Sequence, residues 1–90
     1  MADPQGYDRL LATLRSVEEQ LQLLGRTESA AAVQYAIDFY GGSAAEFLGE
    51  SRIALRAVLA KEKGLPDTLV ALMKRTIDDI TEGFRSVGGE

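Results

Sequence analysis

Apolar residues along this chain recur every three or four positions in four successive runs, and nowhere do they alternate with polar ones as a half-buried strand requires. That period leaves helices as the only regular structure available. Glycine divides the runs at Gly25, at Gly41-Gly42 and at Gly64, the last followed by Leu65 and Pro66. Helices are therefore predicted over about 4–24, 28–40, 44–63 and 66–87. With loops this short, the expected fold is all-α: a small four-helix antiparallel bundle or set of helical hairpins, in a single domain spanning 1–90.

Each run has its own punctuation and its own stripe. Asp3 is placed to cap the first helix, with Pro4 at a position where a missing N–H costs nothing. Tyr7, Leu10, Leu14, Val17, Leu21 and Leu24 then form a heptad-spaced seam that Gly25 ends. Thr27 is the expected cap of the second helix, whose stripe is Ala30, Val33, Ala36, Ile37 and Tyr40. The third buries Phe47, Leu48, Ser51, Ala54, Leu55, Val58 and Leu59, and the fourth Leu69, Met73, Ile77, Ile80, Phe84 and Val87. Lys74, Arg75, Asp78, Asp79, Glu82 and Arg85 occupy the other side of the fourth helix, which is thus one-sided.

The segment DFYGGSAAEFLGES, Asp38 to Ser51, carries two glycines and a serine ahead of a helix and so invites comparison with a phosphate cradle. A phosphate loop gathers backbone N–H groups at a helix start, usually after a strand and beside a cation. Here a helix precedes the glycines and the next basic residue is Arg52. Ser43 and Glu46 instead have the spacing of a capping box, and both glycines are expected to adopt left-handed conformations that turn the chain. The segment reads as an elbow.

Chemistry is scarce. Triad-type nucleophilic catalysis lacks its usual members because the chain contains no His and no Cys, and the absence of Cys also removes disulfides and thiolate metal sites. The acids Glu18-Glu19 and Asp78-Asp79, with Glu82 one turn on, are read as solvated and partnered by Lys74, Arg75 and Arg85 at helical spacing. No catalytic residue, cofactor or metal ligand is assigned, and the protein is expected not to be an enzyme. The net charge of −4, with basic residues scattered, speaks against nucleic acid. The 46% hydrophobic content is globular but supplies no apolar run long enough to span a bilayer, and no helix has the basic face of a membrane-surface segment. The opening MADPQGYD lacks the layout of a signal peptide. These features lead us to expect a cytoplasmic protein, and the Arg-over-Lys, Ala-rich composition to expect a bacterial one.

What exceeds the needs of a bundle is the second apolar strip on each middle helix. Ala31, Tyr35 and Phe39 lie nearly opposite the main stripe of the second helix, and Gly49, Ile53, Ala57 and Ala60 form a strip of small residues plus one Ile on the third. These residues are the expected interface of a homodimer, with a further protein partner also open. The expected role is a protein–protein interaction module, a regulator or adaptor. The alternative is a small-molecule binder with an aromatic pocket at the elbow, built from Tyr40, Ser43, Phe47 and Arg52.

Overall fold

The computed structural model describes residues 5–86, with side chains over 7–84. It contains four α-helices: α1 (Gln5–Leu23), α2 (Thr27–Ile37), α3 (Ala44–Lys61) and α4 (Asp67–Ser86), with no strand among the described residues. The chain is all-α, as its period requires. α1 packs on α2, α2 on α3 and α3 on α4, while α4 touches α1 more sparingly. The expected cap Asp3, the expected first-turn Pro4 and the stripe residue Val87 lie outside the described residues.

All four helices contribute to one core. Leu14, Val17 and Leu21 of α1 meet Ala30 and Val33 of α2, Leu55 and Val58 of α3, and Leu69, Met73 and Ile80 of α4, all fully buried or nearly so. Full burial of each large aliphatic side chain is worth roughly 1.5–3 kcal/mol before entropy is charged against it. Two buried hydroxyls are satisfied locally: Ser51 Oγ donates to the Phe47 carbonyl at 2.6 Å and Thr76 Oγ1 to the Leu72 carbonyl at 2.7 Å. This back-bonding is how a helix takes a polar residue into its core without an orphaned group.

The turns follow their residues. Gly25, at φ 77°, closes α1: its N–H donates to Gln22 and that of Arg26 to Leu21, the paired bonds of a Schellman motif. A Cβ at Gly25 would meet nothing within 4 Å, so Gly25→Ala meets only the left-handed backbone penalty. It should lower stability by about 1 kcal/mol in a denaturant titration. Leu24, expected in the α1 stripe, falls beyond the helix and is largely exposed.

Several boundaries differ from expectation by one to three residues, and at the ends of α2 and α3 the side chain just beyond the helix is claimed by another element. α2 ends at Ile37 instead of Tyr40, its last turn tightening through bonds from Phe39 N–H to Ala36 and from Tyr40 N–H to Ile37. Tyr40 thereby leaves the helix and reaches Asp8 of α1. α3 ends at Lys61 because Glu62 turns extended and extends its carboxylate to Arg26 (3.1 Å) and Ser29 (2.5 Å). That carboxylate sits in the first turn of α2, at the positive end of the helix dipole. Arg26 therefore precedes the helix and Thr27 is its first residue rather than its cap. Arg26 also donates to the Lys63 carbonyl at 3.2 Å, so this one side chain ties the α1–α2 turn to the α3–α4 turn. α4 begins at Asp67, with the Pro66 carbonyl accepting from the amides of Leu69 and Val70.

Candidate functional site: the outer face of the middle hairpin and the aromatic elbow

Glu28 of α2 and Lys61 of α3 form an ion pair across the hairpin, on its solvent side. This contact fixes which faces of the two helices look outward together. One and two turns on from Glu28 come Ala31 and Tyr35, and one and two turns back from Lys61 come Ala57 and Ile53. All four are exposed, Tyr35 at 59% and Ile53 at 62%, and Ala60 flanks them. An apolar strip thus runs along the outer face of the α2–α3 hairpin and stops at a charged pair. The hydrogen bond from Lys61, with its charge adding to it, lowers the Glu28 carboxyl from its ordinary value, and the same hydrogen bond raises the Lys61 ammonium.

Two of the expected interface residues turn elsewhere. Phe39 is half-buried and packs on the core, meeting Tyr35 edge-to-face with ring centroids 5.3 Å apart. Gly49 is half-buried beside α4, where an added Cβ would sit 3.7 Å from the Phe84 ring. The cause is helical drift. Residues four apart are offset by about 40°, so a line drawn through three of them swings by about 80°. The strip is straight at Ala31, Tyr35, Ile53 and Ala57 and rotates into the chain at its ends.

At the elbow, Ser43 is the N-cap of α3, in extended conformation, and its Oγ accepts the amide of Glu46 at 3.3 Å. This is the first bond of the expected capping box. Ser43→Ala should lower stability by about 1 kcal/mol, and millimolar phosphate should leave the melting temperature of the wild type unchanged. Of the two glycines expected to be left-handed, only Gly41 is, at φ 96°, while Gly42 turns by donating its N–H to the Phe39 carbonyl.

Tyr7, Tyr40, Gly41, Gly42, Ala44 and Phe47 line an open cleft of about 280 Å³ beside this turn. The Tyr40 and Phe47 rings stand edge-to-face at 5.4 Å. Ser43 and Arg52, the polar members of the expected pocket, do not line it. The Ser43 hydroxyl is engaged in capping, and the Arg52 guanidinium lies 4.6 Å over the Phe84 ring and donates to Thr81 Oγ1 at 3.2 Å. Sequence reasoning missed Tyr7, whose place at the head of the α1 seam made it look like core alone. It also missed Asp8, which accepts the Tyr40 hydroxyl and so joins α1 to the elbow.

That hydrogen bond raises the Tyr40 phenol above its ordinary value, with desolvation and the Asp8 charge adding to it. A raised acid stabilises the fold below the unfolded pKa of about 10, and that contribution disappears as pH climbs through the folded value. In an absorbance titration of tyrosinate, wild type should therefore show a late-ionising component that Tyr40→Phe and Asp8→Asn each abolish.

A second cleft, of about 370 Å³, lies between α1 and α4 with Leu48 of α3 also in its wall, lined by Tyr7, Arg9, Leu10, Thr13, Leu48, Thr76, Asp79 and Gly83. Among the described residues no group of three or more His, Cys, Asp or Glu is placed to hold a metal ion. No helix among them is long and apolar enough to cross a membrane.

No known protein family matches the chain, and no solved structure matches it. It is similar to a nicotinate-nucleotide–dimethylbenzimidazole phosphoribosyltransferase of Methylocella silvestris, 38% identical over 66 residues. That stretch is 73% of this chain and 19% of the phosphoribosyltransferase, so the chain spans about a fifth of its relative's length.

Proposed function

We propose that this chain is a non-enzymatic protein–protein interaction module, an antiparallel helical bundle that works as a homodimer through the outer face of its α2–α3 hairpin. The observation that carries the reading is the joint exposure of Tyr35 and Ile53 on one apolar strip, on the two helices whose opposite faces already fill the core. A helix buried on one side needs only one stripe, and a second is an affinity for something else. The segment shared with the Methylocella silvestris phosphoribosyltransferase makes up 19% of that enzyme, too small a share to carry that enzyme's activity over to this chain. A cytoplasmic bacterial regulator or adaptor fits these features. Sedimentation equilibrium tests the reading directly. The expected mass is twice that of the 9.7 kDa chain, falling toward one chain on dilution. A mass of one chain at every soluble concentration overturns it.

A second reading rests on the cleft of Tyr7, Tyr40 and Phe47: a binding site for a flat apolar small molecule stacked on its rings. The chain has no Trp, and two of its three tyrosines line this cleft. Tyrosine fluorescence is accordingly the sensitive probe. Quenching by an aromatic ligand that Tyr40→Ala removes would favour this reading.

A further inference from the structure

The outer face of the hairpin carries an exposed acid on α2 and an exposed base on α3 at the same end, and this charge pattern favours one mode of pairing. We propose that a second copy docks with its α2 over α3 of the first and its α3 over α2, about a two-fold axis running along the hairpin between the helices. In that arrangement Glu28 of each copy meets Lys61 of the partner subunit. This inference rests on the homodimer reading and specifies its register.

Two observations carry it, joined by a symmetry argument. The strip is bounded at one end by one acid on α2 and one base on α3, both prominently exposed, with side chains 84% accessible at Glu28 and 53% at Lys61. A two-fold axis along the hairpin exchanges α2 and α3 between copies while keeping each end beside the same end, so it sets acid on base twice. An axis across the hairpin would instead bring the charged end of one copy over the apolar end of the other. The residues between agree with the first choice: α2 presents the bulky Tyr35, and α3 presents Ala57 and Ile53, a small and a branched side chain between which a ring can settle. Large against small is how helix surfaces interlock. The Glu28–Lys61 pair seen within one chain then becomes a four-charge cluster shared by two.

Mixing two charge variants tests the register. Glu28→Lys alone and Lys61→Glu alone each set like charges opposite one another twice in the proposed dimer. Each should self-associate at least about tenfold more weakly than wild type. Combined in equal amounts, the two should pair with each other, because both charge contacts between the subunits are then of opposite sign, while each chain alone keeps the same like-charged pair it has in its own homodimer. Native mass spectrometry with one chain isotopically labelled should show mixed dimers well above the statistical share of about one half. Circular dichroism on each variant checks that both remain helical. If both variants self-associate like wild type and mix statistically, the dimer exists in another register and this inference fails while the homodimer reading stands. If wild type itself is monomeric, both fail together.

Discussion

Leu55→Ala should lower stability by about 2–5 kcal/mol, whereas Ile53→Ala on the same helix should change it by less than about 0.5 kcal/mol in dilute solution. Leu55 has no solvent exposure and lies on α3, which packs against both α2 and α4. Its truncation leaves a cavity that three helices must close or tolerate. A domain this small has a margin near the lower end of about 5–15 kcal/mol, and each kcal/mol moves its melting temperature by about 4–8 °C. The Leu55→Ala protein should therefore melt at least about 8 °C early, and more if the cavity stays open. Ile53, two residues away, faces water at 62% exposure. A thermal melt of both variants at low concentration reads out the two-sidedness of α3 directly. Comparable losses would mean that Ile53 belongs to the core.

The existence and order of the helices were legible because local signals agreed with one another. A glycine or proline stood at each junction, and the main stripes of all four helices are the buried stripes, from Leu10 through Leu21 in α1 to Leu69 through Phe84 in α4. The boundaries were less legible, because the residues that set them act at a distance. Nothing near Glu62 announces that its carboxylate will serve Arg26 and Ser29, 36 and 33 positions earlier. Nothing near Tyr40 announces Asp8, 32 positions earlier. The outward strip was legible in its middle and misread at its ends, since a line of residues four apart was treated as straight. The expected pocket failed on its polar members for a related reason. Arg52 lies five residues after Phe47, about 140° around the helix, which carries the guanidinium to Phe84 on α4 and leaves the Phe47 ring at the elbow.

On the proposed homodimer reading, Tyr35→Glu combined with Ile53→Glu should leave a folded, cooperative helical protein that sediments as one chain, at half the mass of wild type. Tyr35 is the better aromatic to change because Phe39 packs on the chain's own core, and a charge at Phe39 would unfold the monomer and the dimer alike. Ile53 replaces it as the second position because it sits on the facing helix and is as exposed as Tyr35, whose one ring contact within the chain is the edge of Phe39. Burying a Tyr and an Ile side chain contributes about 1.5–3 kcal/mol each when complete, and a two-fold interface counts every residue twice. The variants forgo that burial and also carry a carboxylate into a site that must exclude water, which costs a further few kcal/mol. Even at partial burial the sum exceeds about 4 kcal/mol, a weakening of at least about a thousandfold in dissociation constant. In the separated chain both positions are mostly solvated already, so the unfolding midpoint at low concentration should stay close to that of wild type. At high concentration the wild type should be the more stable of the two, because association draws on the folded state alone. A variant that still dimerises would move the interface to another surface, and one that unfolds would show that Tyr35 and Ile53 serve the chain's own packing and not a partner.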